Sequence, residues 1–177
     1  MHFTQILGLS LFAVGQVSCA ALPANSTAIN VSTPVPRGEL VDRASAEPVQ
    51  CGSGGDIKAY GSEDVKRAYN NGKTLWKNFD SSRCTPTGNC YPKSYGGNGG
   101  NVRSFLPAEC DANSKSGTLV EWPLMEDHSI FQGGVDSGKD RIVMFDPAKN
   151  GKTVIFCGVM SHRNRGTNFD WCPRATS

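Results

Sequence analysis

Three residues in this chain have the chemistry to move protons and hold a charged transition state: Glu121, Arg141 and His162. A carboxylate and an imidazole suit general base and acid work, and a guanidinium presents a fixed fork of donors to developing negative charge. Each falls in or at the end of its own segment rich in β-branched and aromatic residues. The segments are Thr118-Leu119-Val120-Glu121-Trp122, Arg141-Ile142-Val143-Met144-Phe145, and residues 152–162 ending at His162. Such runs, separated by Gly, Asp, Asn and Pro, read as β-strands. Alternate strand residues share a face. Leu119 therefore groups with Glu121, Arg141 with Val143 and Phe145, and His162 with Met160, Gly158 and Phe156. Neighbouring strands would bring the three polar side chains together. Singly, each has an ordinary structural reading as a surface carboxylate, its salt-bridge partner and a strand-end histidine.

The elements that must position them are legible in outline. Ser62 reads as a helix N-cap, Glu63 and Asp64 suit the first turn, and Val65 shares a face with Ala68-Tyr69. Asn70-Asn71-Gly72 predicts a left-handed stop, with helix resuming weakly over residues 74–79. Residues 95–101 are glycine-rich and leave no room for a regular element. One early helix followed by several strands implies an α+β domain, the helix packed on a twisted antiparallel β-sheet. The glycines do not form a phosphate-binding loop of the Gly-Lys-Ser/Thr type, because no such triplet follows them.

Residues 1–20 carry the apolar run Ile6 to Val14 followed by small residues, the pattern of a secretory signal peptide. Residues 21–50 hold Pro23, Pro34, Pro36 and Pro48 among Ser, Thr, Ala and Val, a propeptide or flexible leader that cannot bury a core. Asn25 and Asn30 begin N-glycosylation acceptor motifs. The folded domain is then expected over 51–173. Six cysteines fall within it: Cys51, Cys84, Cys90, Cys110, Cys157 and Cys172. An even number in a short secreted chain predicts a disulfide framework, of which residue order alone leaves about fifteen connectivities. Their scattered spacing is unlike a zinc site, and no metal is expected. No other stretch is apolar enough for a membrane helix. From Cys51 onward nine lysines and seven arginines face thirteen acids, a net of +3 that permits an anionic partner without arguing for one. His128 reads as a solvated loop residue.

An ordered series changes the odds for the three polar residues. Glu121-Trp122-Pro123, Asp140-Arg141-Ile142-Val143, Phe156-Cys157-Gly158-Val159-Met160-Ser161-His162 and Asn168-Phe169 occur in that order. Upstream stand Tyr91-Pro92-Lys93-Ser94-Tyr95 and Tyr60-Gly61-Ser62-Glu63-Asp64-Val65. The series resembles the T1/U2 family of fungal guanyl-preferring ribonucleases and their ribotoxin relatives, over nearly all of 51–173. Phe156-Cys157-Gly158 is closer to the ribotoxin branch.

The resemblance implies the microbial ribonuclease fold and cleavage of RNA through a 2′,3′-cyclic phosphate, without cofactor or metal. It implies Glu121 as general base, His162 as general acid and Arg141 as the stabiliser of phosphorane charge. Tyr91 would touch the phosphate and Phe169 would form an aromatic wall beside it. Lys93, Tyr95, Asn98 and Asn168 fall in the family's substrate-binding segments. Two departures stand out: Lys93 replaces a histidine usual beside the glutamate, and the loop over 95–101 lacks a second aromatic and an acid to grip guanine. The family pattern also implies the pairs Cys51–Cys172, Cys110–Cys157 and Cys84–Cys90. The expected product is a secreted monomer whose partner is RNA and not a membrane. Three activities follow as expectations. They are a general endoribonuclease, a ribotoxin that cuts ribosomal RNA in a target cell, and a weakened effector that binds host RNA or protein.

Overall fold

A computed structural model describes residues 46–96, 100–111, 116–164 and 166–175. The expected signal and leader segments, both glycosylation motifs and Asn98 lie outside these residues. The first elements are β1 (Val49–Ser53) and β2 (Asp56–Tyr60), an antiparallel hairpin turning at Gly54-Gly55. Its turn pair is a hairpin signal, but the flanking residues are too polar and glycine-rich to read as strands in advance.

The helix α1 (Ser62–Lys77) is capped one residue earlier than Ser62. The Gly61 N–H donates to Asp64 Oδ2 at 3.1 Å, and the Gly61 carbonyl accepts from the Asp64 N–H at 3.1 Å. The helix also runs unbroken through Asn70-Asn71-Gly72, where a stop was expected. A Cβ on Gly72 would stand 2.7 Å from Trp122 Cγ. Glycine here lets the helix settle on the sheet, and that burial outweighs a propensity cost of about 1 kcal/mol.

Two short strands, β3 (Arg83–Cys84) and β4 (Cys90–Tyr91), pair with each other. The main sheet has five antiparallel strands in chain order: β5 (Lys93–Ser94), β6 (Thr118–Leu124), β7 (Asp140–Asp146), β8 (Ile155–Ser161) and β9 (Asp170–Trp171). The third expected strand starts later than residue 152, at Ile155. Val120, Trp122, Leu124, Ile142, Met144 and Val159 pack with Val65, Ala68 and Tyr69 of α1. Leu119, Val143, Phe145 and Met160 form a second core on the other face, with Val102, Cys110, Cys157 and Phe169. The site residues belong to this second face.

A β-bulge between β7 and β8 corrects one parity expectation. Val143 pairs with Gly158 but Met144 pairs with Phe156, so Cys157 is the extra residue. Phe156 is thereby turned to the helix side, edge-on to Tyr69 at 5.4 Å, while Met160 keeps the face of Arg141. Gly158 has φ +141°, and a Cβ there would lie 2.1 Å from the Trp171 ring. Only glycine admits that ring.

The cysteines pair as Cys51–Cys172, Cys84–Cys90 and Cys110–Cys157. The domain is α+β, one helix on antiparallel sheets held by three disulfides. Among the described residues, no helix is long and apolar enough to cross a membrane.

Candidate active site

Register brings the polar residues onto one face. Lys93 on β5 is directly opposite Glu121 on β6. Glu121 pairs with Val143 and Pro123 pairs with Arg141, so Arg141 is one diagonal step from Glu121 along the same face of β7. Arg141 in turn opposes Met160, and His162 follows β8 with the parity of Met160. Strands β5, β6 and β7 and the residue just after β8 thus bring one polar side chain each to this face, in the order Lys93, Glu121, Arg141, His162.

Glu121 is only 5 % exposed. Its Oε1 lies 3.3 Å from Lys93 Nζ, and its Oε2 is buried without a hydrogen-bond partner. Burial raises the carboxyl above its ordinary value, although the charges of Arg141 and Lys93 pull it back.

Arg141, also 5 % exposed, is held by oxygen atoms of its own loop. Nη1 donates to the carbonyls of Ser137, Gly138 and Asp140 at 2.8–2.9 Å, and Nη2 donates to Ser137 Oγ at 2.8 Å. Nε is buried and unpartnered, and among the described residues no carboxylate forms an ion pair with the group. A buried cation fixed by neutral carbonyls, with no direct ion pair among the described residues, is an arrangement able to receive an anion. Its charge acts on both neighbours: it draws the Glu121 carboxyl down and disfavours the charged form of His162.

His162 is half-buried, and its Nδ1 lies 2.9 Å from the Asn168 carbonyl. A carbonyl only accepts, so this bond places the proton on Nδ1 and makes Nε2 the nitrogen able to take up a proton. Burial pushes the imidazole below its ordinary value, the Asn168 carbonyl opposing and Arg141 reinforcing the shift. The Phe169 ring lies against the imidazole with centroids 3.5 Å apart, and Tyr95 meets Phe169 edge-on at 5.7 Å.

The remaining expected site residues fall in varied places. Tyr91 is buried, with its hydroxyl 3.4 Å from Ser137 Oγ, and its ring takes Lys93 Nζ at 4.9 Å and Arg141 Cζ at 5.3 Å. It braces the two cations from beneath. Asn168 engages His162 through its backbone and not its side chain. Asn98 is outside the described residues. His128 is partly exposed yet not simply solvated, its Nδ1 lying 2.8 Å from Asp64 Oδ2.

Reasoning from sequence missed Ser137, Asp140 as a functional group, and Arg163. Ser137 is four residues before Arg141 and ties Arg141 to Tyr91, a role no local pattern announces. Asp140 could have been noticed, since an acid beside a candidate catalytic arginine invites the question of its partner. Arg163 could not, because its partner Asp56 is 107 residues away. No protein-family model matches this chain, and no curated protein matches it either.

The ionisation states give a direct expectation. With Glu121 as a base and His162 as an acid, as the resemblance implies, activity should rise as Glu121 loses its proton and fall as His162 does. Burial moves the first limb up from the ordinary carboxylate value and the second down from the ordinary imidazole value. The bell is therefore narrowed from both sides. Replacing Lys93 by Met removes one of the charges that hold the Glu121 carboxyl down. The rising limb should then shift to higher pH and the bell should narrow further. A kcat/KM profile of Lys93→Met superimposable on the unmodified protein would show that Lys93 does not govern this carboxylate.

Proposed function

We propose that this chain is a secreted endoribonuclease of the T1/U2 type, cleaving single-stranded RNA by transesterification. The observation that carries the reading is the buried Arg141, without a direct ion pair among the described residues and standing between a buried carboxylate and a half-buried imidazole. Glu121 removes the proton of a ribose 2′-OH, and the 2′-oxygen attacks the adjacent phosphorus. The 5′-oxygen leaves and takes a proton from His162 Nε2, giving a 2′,3′-cyclic phosphate and a free 5′-hydroxyl. Arg141 holds the phosphate and the charge that builds on its equatorial oxygens. Phe169, packed on the imidazole, keeps water from one side of the acid. The single helix against an antiparallel sheet and the disulfide set agree with the microbial ribonuclease fold. The disulfides also agree with export to an oxidising compartment.

The deciding experiment compares the purified protein with His162→Ala on total RNA and on dinucleoside phosphates of each base. General acid catalysis contributes about 10²–10⁴-fold, so His162→Ala should lose at least about 100-fold in kcat. The dinucleotide series would also read base preference. Equal rates for the two proteins would end the enzymatic reading. One observation favours a second reading, a weakened effector that binds RNA: Glu121 Oε1 is already engaged by Lys93 and Oε2 is buried. RNA binding by both proteins with cleavage by neither would select it. A single discrete fragment from intact ribosomes would instead select the ribotoxin.

A further inference from the structure

Behind the proposed site, on the helix side of the sheet, lies a buried charge network that the mechanism above does not use. Its centre is Arg163, the residue directly after His162 and 5 % exposed. Arg163 Nε lies 3.3 and 3.1 Å from the two carboxylate oxygens of Asp140, and Nη2 lies 2.9 Å from Asp140 Oδ2. Asp140, with no exposed surface, directly precedes Arg141. Arg163 Nη1 reaches Asp56 of β2 at 2.5 Å, and Nη2 reaches Glu126, just beyond β6, at 2.5 Å. Tyr60 donates its hydroxyl to Asp140, and Lys139 Nζ pairs with Asp56 at 2.8 Å. Backbone bonds complete the frame: the His162 N–H donates to the Lys139 carbonyl at 2.9 Å, and the Arg163 N–H donates to Ser161 Oγ at 3.0 Å.

We infer that Arg163 is a positioning residue, whose forked pair with Asp140 sets the separation of the His162 imidazole and the Arg141 guanidinium. The inference rests on the ribonuclease reading for its consequence in rate. The two members of the pair flank the two proposed site residues in sequence, and they bridge the start of β7 and the end of β8, which are themselves adjacent. Strand alternation turns His162 to one side and Arg163 to the other, so the clamp works from behind without occupying the substrate face. A role in stability alone is a poor account of it. Desolvating a guanidinium and a carboxylate offsets most of their attraction, and apolar side chains of similar volume stabilise as well. What apolar packing lacks is the planar, two-pronged geometry that holds one strand end at a set angle to another.

Three variants test this. Arg163→Met combined with Asp140→Asn removes the two buried charges together, while Asp56 keeps its pair with Lys139 and the half-exposed Glu126 is left to solvent. Arg163→Lys keeps the charge and loses the fork. Glu126→Gln alters the half-exposed end of the network and serves as the neutral reference. With a dinucleoside phosphate, the double variant should lose about 30–100-fold in kcat, as a displaced catalytic group does, while KM changes by less than about threefold. Arg163→Lys should lose about tenfold, and Glu126→Gln less than about twofold. The ring N–H signal of His162, which reports its bond to the Asn168 carbonyl, should broaden or vanish in the double variant and persist in Glu126→Gln. A folded double variant, or a folded Arg163→Lys, with unchanged kcat and an unchanged His162 signal would overturn the inference. Should the unmodified protein cleave nothing, the ribonuclease reading fails on its own. The His162 signal then still decides whether Arg163 orders the imidazole.

Discussion

Arg141→Ala is expected to lower cleavage of a dinucleoside phosphate about 10³-fold, the upper end of what one preorganised charge-stabilising group supplies. The expectation follows from how the side chain is held. Three carbonyls and one serine hydroxyl fix the guanidinium before any substrate arrives, so little reorganisation is left for the reaction step. Arg141→Lys keeps the charge but has no planar fork to span those acceptors, and it should recover no more than about tenfold of the loss. Because Arg141 lies over the buried Tyr91 ring and satisfies three carbonyls, circular dichroism and urea unfolding of both variants are needed beside the rates. Because Arg141 disfavours the charged form of His162, its removal should also move the falling limb of the pH profile upward. A folded Arg141→Ala that retains more than a tenth of the activity would mean that the phosphate is held elsewhere.

The second large effect concerns stability. Cys51 and Cys172 are 121 residues apart in sequence. Closing so long a loop removes denatured-state entropy worth about 5 kcal/mol on chain-entropy estimates. Domains of this size have about 5–15 kcal/mol in all. Replacing both cysteines by Ala should therefore remove a large share of the stability or prevent folding at 37 °C. Cys84 and Cys90 close a span of only 6 residues, and their replacement should cost about 2 kcal/mol on the same estimate. Urea unfolding of the two double variants beside the intact protein measures the contrast. Equal losses would show that strain or local packing, not loop length, governs both bonds.

How far the residues announced this structure depends on how local the information was. The strands of Glu121 and Arg141 were legible because β-branched and aromatic residues crowd there over five consecutive positions. The third strand was misjudged at its start, and its alternation was broken by the bulge at Cys157, which depends on a partner strand and a disulfide. Gly72 looked like a helix stop because propensity is read locally, whereas its reason is the Trp122 side chain, 50 positions downstream. The short strands β3, β4, β5 and β9 carry too few residues for any periodicity. Among the site residues the trio was visible by type and order. Its supports were not, since Ser137, Asp140 and Arg163 act through contacts between distant segments.

The clamp on His162 has a consequence for biosynthesis. The imidazole is held by the Asn168 carbonyl and the Phe169 ring, both downstream of every strand that carries a polar site residue. A nascent chain that has not yet reached Asn168 therefore lacks an oriented acid, even with β6, β7 and β8 already paired. Antiparallel pairing of this kind is non-local and slow, and a chain of this size folds largely as a unit. If the centre cuts RNA as proposed, assembly in that order would keep it incomplete through most of translation, when the messenger and the ribosome that make it lie within reach.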